Sequence, residues 1–172
     1  MLPLVKIFWA ICRLQVGPQA LPTSQYLLII TVIAGIIVDS AATAILIPAL
    51  SSVELVLIVS VYNAALLVSV YILLRLIAYH ERALQTLTAL AGTGLFISLV
   101  LLPGLMFINM AEEAMQSFAL FILIDNIWRI AVYAHIFRHA LSISLLMAMI
   151  LSLSYLLWGI FIADILLPET VK

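Results

Sequence analysis

Residues 115–139 most constrain the fold, because this run is apolar enough to cross a bilayer yet holds Asp125, Asn126 and Arg129 at its middle. A charged side chain at membrane depth is costly and usually faces protein or trapped water. Asp125 and Arg129 are four residues apart, so on a helix they share one face and can pair. The segment therefore predicts a transmembrane helix whose charged face is turned towards other helices.

The composition identifies the class of protein. Of the 172 residues, 67% are hydrophobic and only 9% are charged, whereas a soluble domain averages about 25% charged residues. The chain is therefore expected to be an integral membrane protein. Its formal net charge of -1 gives no general bias towards nucleic acid. Cys12 is the only cysteine, which excludes an internal disulfide.

The chain predicts a single all-α membrane domain over residues 1–172. A helix needs about 20 apolar residues to span a bilayer, and five runs qualify, at about 26–47, 53–78, 83–107, 115–137 and 141–162. Residues 2–14 are too short to span and carry Lys6 and Arg13 on one side, which predicts an interfacial amphipathic helix. Proline and glycine over 17–22 end that helix, and Thr23 or Ser24 can cap the next one.

The charges that flank the spans predict an orientation. The basic residues fall on one side of the membrane: Lys6, Arg13, Arg75, Arg82 and Arg138. The acidic residues fall on the other: Glu54, Glu112, Glu113, Asp164 and Glu169. Because the cytoplasmic side carries the Lys/Arg excess, we expect the N-terminus inside and the C-terminus outside.

Polar side chains from several spans reach one depth. Counted at about 1.5 Å per residue, four spans each contribute one polar or small side chain to the same level: Asp39, Asn63, Thr93 and Asp125. From this match we predict a buried polar cluster of Asp39, Asn63, Asp125, Asn126 and Arg129. Two acids and one base leave one carboxylate without a basic partner.

Three interpretations of this cluster stay open at the level of sequence. It can be a structural network that holds the helices in register, where removal of one member leaves a charge unpaired. It can be a relay or binding site for a proton, an ion or a lipid headgroup. It can also dock a partner subunit, if Arg129 or Asp39 faces another protein's helix.

Other chemistry has little support in the sequence. His135 and His139 are four residues apart on the side that also carries His80, which makes these three a weak candidate metal site. No HExxH, GxSxG or glycine-rich phosphate motif occurs. We therefore expect no enzyme activity and no cofactor.

The segment over 8–24, FWAICRLQVGPQALPTS, resembles the N-terminal part of a group of known membrane proteins. Followed by five spans, it resembles small proteobacterial inner-membrane proteins of unassigned role, in which a short basic-aromatic helix leads into a GPQ-x-LP turn. The matching residues are Trp9, Cys12, Arg13, Gly17, Pro18, Gln19, Leu21 and Pro22. The five-span layout is also similar to the Yip1 superfamily. The resemblance implies a bacterial inner membrane and a five-helix fold, and supplies no catalytic residues. The DLYGP-type segment of eukaryotic Yip1 proteins is missing, so their trafficking role does not carry over.

Two functions follow as expectations. The first is a non-catalytic inner-membrane protein that acts by contact, as an accessory, assembly or scaffold subunit of a membrane complex or as a homo-oligomer. Its partners would be the lipid bilayer and another membrane protein or a second copy. The alternative is a small transporter or a proton- or lipid-handling protein that uses Asp39, Asp125 and Arg129. Acidic groups enclosed in salt bridges with no cavity beside them would favour the contact function. A cavity that reaches the acidic groups would favour the transporter or handling function.

Overall fold

The structure, a computed structural model, describes residues 2–77, 79–109 and 115–167, and these ranges contain helices and no strand. The α-helices are α1 Leu2–Cys12, α2 Gln25–Leu46, α3 Ser52–Leu76, α4 Ala83–Asn109, α5 Met115–Leu141 and α6 Leu145–Leu166. Single-turn 3-10 helices lie at Pro18–Ala20 and His80–Arg82. Five helices, α2 to α6, are long and apolar enough to cross a membrane. The predicted all-α architecture with a short helix before five spans is confirmed.

Serine side chains cap the start of three of the long helices. The Ser24 hydroxyl accepts a hydrogen bond from the Leu27 amide at 3.3 Å, as the sequence predicts. Ser51 and Glu54 cap α3 reciprocally, since each side chain bonds the other residue's backbone amide. Ser144 caps α6 in the same way as Ser24 caps α2. These caps satisfy amides that lack a partner within the helix.

The turn between α5 and α6 lies later in the chain than predicted. The fourth span continues to Leu141, past the predicted end at 137, and the fifth begins at Leu145 rather than at 141. Ser142 adopts a left-handed φ of 55°, which interrupts the helix. The guanidinium of Arg82 donates to the Ala140 carbonyl and to the Ser142 hydroxyl, both at 3.1 Å. The link before α4 therefore holds this turn.

The two ends of the bundle differ in charge. Arg75, Arg82 and Arg138 lie at helix ends on one side, called the basic end below. Glu54 and Asp164 lie at the opposite, acidic end. Glu112, Glu113 and Glu169, which contributed to the predicted orientation, lie outside the described residues, as does Ala78 at the predicted end of the second span. Which end faces the cytoplasm stays a prediction.

The basic end is filled by a continuous apolar core. Among its most completely buried members are Ile11, Leu21, Leu74, Val132, Ile136, Phe137 and Ala140. Long-range hydrogen bonds add to this packing. Gln19 donates to the His139 carbonyl at 2.7 Å, and Gln85 donates to the Leu21 carbonyl at 2.8 Å. The segment between α1 and α2 is thereby fastened to α4 and α5.

Helix α1 packs against α4 and α5. The Phe8 ring occupies the place where a side chain on Gly92 would lie, and the Trp9 and Phe96 ring centroids are 5.4 Å apart. The Trp128 indole donates to the Cys12 carbonyl at 3.1 Å. The short N-terminal helix is present as predicted, and these contacts add that it is docked on the bundle. Its position relative to the bilayer surface stays a prediction.

Helix α2 packs more extensively against α4 than against α3, its neighbour in the chain. Helices α2 and α4 both run from the basic end towards the acidic end, so they are parallel. This placement turns one face of α2, with Gly35, Asp39 and Thr43, towards the interior of the bundle.

Candidate functional site

Hydrogen bonds join four helices through one row of polar side chains. The Asn63 amide of α3 donates to one carboxylate oxygen of Asp39 at 3.3 Å. The Ser98 hydroxyl of α4 donates to the other at 2.9 Å, and Ser98 itself accepts from Nη2 of Arg129 at 3.1 Å. Nε of Arg129 lies 3.0 and 2.9 Å from the two oxygens of Asp125. Four of the five residues predicted as a cluster are therefore connected.

The two acids of this row have different partners. The Asp125–Arg129 pair is an ion pair within α5, with side chains 15% and 23% exposed. Asp39 instead receives its hydrogen bonds from a neutral amide and a neutral hydroxyl. Within the described part of the chain, Asp39 forms no ion pair. Two carboxylates and one guanidinium give the row a formal charge of -1 when all are ionised.

Ser98 is a member of the row that sequence reasoning missed. That reasoning assigned the contribution of the third span to Thr93, but the Thr93 hydroxyl donates to the Ala89 carbonyl of its own helix at 2.7 Å. The position of Ser98 along its helix was the available signal. Counted at about 1.5 Å per residue from the basic end, Ser98 lies about 22 Å along α4 and Asp39 about 21 Å along α2, whereas Thr93 lies at about 15 Å.

The remaining predicted residues do not join the row. The Asn126 amide donates to the Ile122 carbonyl of its own helix at 2.8 Å. The His135 and His139 rings contact each other with centroids 4.5 Å apart, and a ring nitrogen of His135 lies 3.0 Å from the Val16 carbonyl oxygen. Across residues 2–77, 79–109 and 115–167, no group of three or more His, Cys, Asp or Glu side chains is arranged to hold a metal ion. His80 is therefore not gathered with the other two into such a site.

A cavity of about 470 Å³ lies beside the polar row and is walled by all five long helices. Its lining residues fall within 31–47 (α2 and its C-cap), 58–67 of α3, 90–105 of α4, 121–133 of α5 and 155–167 (α6 and its C-cap). These ranges run from the middle of the bundle to the acidic end. Among the described residues, the basic end is filled, and the cavity extends from the middle of the bundle towards the acidic end.

Every predicted cluster residue lines this cavity, together with Ser98. Gly35 is the clearest sign that its wall is open. Gly35 is buried, yet a Cβ built on it would meet no atom within 4 Å. This glycine therefore faces empty space rather than another helix.

Three tyrosines also line the cavity and were not singled out from the sequence: Tyr62, Tyr133 and Tyr155. The rings of Tyr133 and Tyr155 meet edge to face, with centroids 5.5 Å apart. Tyrosine is enriched at the membrane–water interfaces, so a tyrosine in the middle of a span signals an inward-facing position. That signal was available in the sequence.

No protein-family model, curated protein or solved structure matches this chain. The resemblance to small proteobacterial inner-membrane proteins and to the Yip1 layout therefore stays a prediction. The role of the site has to be argued from its own geometry.

Proposed function

We propose that the protein binds a small ligand in the cavity and handles it within the membrane, as a small transporter or a proton- or lipid-handling protein. Asp39, Asp125 and Arg129 would supply the polar contacts. The observation that carries this proposal is the cavity itself, which lies directly beside the three charged side chains. Its volume of about 470 Å³ falls within the range of about 300–1,000 Å³ that is typical of small-molecule sites.

The cavity weighs against a purely structural role for the charges. Protein interiors are close-packed, with few voids larger than a water molecule. A network that served only to hold helices together would gain from tight packing around Asp39 and Arg129. The observed space leaves part of the polar row open to water or to a ligand.

Gly35 supports the same proposal from the backbone. Glycine in a helix interior costs about 1 kcal/mol relative to alanine, and in membrane helices it is usually retained because it lets two backbones approach. At Gly35 no other helix occupies the space where a side chain would lie. Room for a ligand is a physical reason for a glycine at this position.

The cavity lies off-centre along the bundle, towards the acidic end. Under the predicted orientation, the acidic end faces the outside, and the filled basic end with α1 faces the cytoplasm. A binding site at mid-membrane that opened to one side only would correspond to one state of an alternating-access carrier. The contact function expected first from the sequence stays a prediction, since no described residue tests it.

Cysteine labelling from one side of the membrane tests the proposal. Cys12 is the only native cysteine, so Cys12→Ala provides a background without thiols. Ala42 lines the cavity, whereas the adjacent Ala41 is exposed on the outer surface of α2. Ala42→Cys and Ala41→Cys are therefore matched variants, and Gly35→Cys probes the deeper wall.

We expect a membrane-impermeant thiol reagent, added from the outside, to label Ala42→Cys and Gly35→Cys faster than Ala41→Cys. The reactive thiolate forms in water, whereas an apolar environment suppresses it. If these two variants are labelled only when the reagent is added from the cytoplasmic side, the orientation of the protein is the opposite of the predicted one. Equal or slower labelling of Ala42→Cys and Gly35→Cys would show that the cavity is closed to water and would contradict the proposal.

A further inference from the structure

The charges at the cavity wall define which ligands the cavity can take. Among the residues that the structure describes, three charged ones line it, namely Asp39, Asp125 and Arg129. Arg129 is already engaged with both oxygens of Asp125 through Nε. Asp39 is held by neutral donors, so its charge is the one left without a counter-charge in direct contact.

The hydrogen-bond capacity of Asp39 also favours a positively charged ligand. An ionised carboxylate offers about four lone-pair sites. Ser98 occupies one site on Oδ1 and Asn63 occupies one on Oδ2. Asp39 can therefore accept further donors from the cavity, and a donor that carries positive charge forms the stronger bond.

The aromatic wall is a second, independent observation. Tyr62, Tyr133 and Tyr155 line the same cavity, and the faces of aromatic rings attract cations through their quadrupole. The rest of the wall is mainly aliphatic and includes Leu66, Leu95 and Leu105. A charged head beside Asp39 and an apolar body along the leucines would match both kinds of surface.

We infer that the ligand is a cationic amphiphile, with an ammonium or similar positively charged head beside Asp39 and an apolar body in the remaining cavity. This inference rests on the proposed ligand-binding function and specifies its substrate class. An anionic head would meet two carboxylates and a guanidinium that is already paired. A proton alone would leave unused a volume of about 470 Å³, since a water molecule takes up only about 30 Å³.

Two organic ions of almost the same shape and opposite charge provide the test. Tetraphenylphosphonium is a cation and tetraphenylborate is its anionic counterpart. Equilibrium binding of each radiolabelled ion is measured on the full-length protein in detergent. Gly35→Leu serves as the reference variant, because its side chain would project into the empty space beside Gly35 and narrow the cavity. Binding that Gly35→Leu abolishes is assigned to the cavity.

We expect cavity binding of the phosphonium to be tighter than that of the borate by at least about tenfold. Asp39→Asn should weaken phosphonium binding by at least about tenfold, whereas Asp39→Glu should retain most of it. Ala41→Leu is the matched control for added bulk, since Ala41 lies on the exposed surface of α2, and it should change neither affinity.

The outcomes separate this inference from the proposed function. Equal affinity for the two ions, or tighter borate binding, overturns the cationic assignment but leaves a ligand-binding cavity in place. Phosphonium binding that Asp39→Asn does not change also overturns the role of Asp39. If Gly35→Leu changes the binding of neither ion, the inference is wrong. If, in addition, the thiol reagent fails to label Gly35→Cys, the proposed ligand-binding function is wrong too. The comparison of ions on the unchanged protein decides the sign of the charge even where Asp39→Asn does not fold.

Discussion

The hydroxyl of Ser98 donates a hydrogen bond to a carboxylate oxygen of Asp39 at 2.9 Å. The same hydroxyl accepts a hydrogen bond from Arg129 at 3.1 Å. A hydroxyl has one donor and two acceptor sites, so one small side chain connects the acid of α2 with the base of α5. Ser98 is 7% exposed, so this connection lies inside the bundle.

Ser98→Ala should lower the free energy of unfolding by about 1–3 kcal/mol, because a largely buried donor and a largely buried acceptor each lose a partner. The measurement is chemical denaturation of the purified protein in detergent. Ser154→Ala is the matched control, since the Ser154 hydroxyl is exposed and bonds only the Ile150 carbonyl of its own helix. An equal effect of the two substitutions would show that the connection through Ser98 contributes no stability.

The Asp125–Arg129 pair should show strong coupling in a double-mutant cycle. Asp125→Leu and Arg129→Met each leave one charge without its partner, and breaking a buried pair costs about 3–5 kcal/mol. Both side chains keep some exposure, so we expect values at the lower end. The double variant should be more stable than either single variant, because the charge that each single substitution leaves unpaired is gone. The measurement is the free energy of unfolding in detergent. A loss in the double variant equal to the sum of the two single losses would contradict this expectation.

Gly92→Ala should loosen α1 from the bundle. The Phe8 ring fills the space that a Cβ on Gly92 needs, so the ring has to leave its place between α1 and α4, and α1 loses this contact. Limited proteolysis at Arg13 and Lys6, both exposed on α1 or just after it, reports the release. Gly35→Ala is the matched control, because its methyl group meets no atom within 4 Å, and it should be neutral or stabilising by about 1 kcal/mol. Unchanged cleavage of Gly92→Ala would indicate that Phe8 is not a firm contact.

Cys12 should make stability fall with rising pH in the alkaline range. Burial raises the pKa of the Cys12 thiol to about 12, whereas an exposed thiol titrates near 8.5. Between these values the unfolded chain loses its proton and the folded protein keeps it. Stability therefore decreases above about pH 8.5, by at most about 1.4 kcal/mol per pH unit.

The measurement for Cys12 is the free energy of unfolding from pH 8 to 11 for the native chain and for Cys12→Ala. The native chain should show the steeper decline, because only its unfolded state gains a thiolate. Parallel curves would mean that the thiol titrates alike in both states.

Local chemistry explains why some features were predictable. Asp125 and Arg129 are four residues apart in one helix, so their pairing follows from helix geometry alone. The cap at Ser24 likewise depends on a residue three positions away. The turn after α5 was predicted too early in the chain, although Ser144, which caps α6, is a local signal. The contacts of Arg82 with this turn come from a distant part of the sequence.

The partners of Asp39 were only partly predictable. Asn63 could be matched to it by depth, and depth also pointed to Ser98. Which of the side chains near one depth faces inward depends on how each helix is rotated, and the sequence does not show that rotation. In a soluble protein, the apolar stripe of a helix indicates its buried face. Lipid tails are as apolar as leucine, so that indication is weak in α2 to α6, where many large aliphatic side chains are exposed.

The sequence by itself determined that five long helices form, where most of them begin, and that Asp125 and Arg129 meet, because each depends on residues close along the chain. Only the tertiary structure decided that α2 lies along α4, that Ser98 joins Asp39 to Arg129, and that a cavity extends from these residues towards the acidic end. These features depend on which helix faces are in contact, and shape and hydrogen bonding between distant segments select those faces.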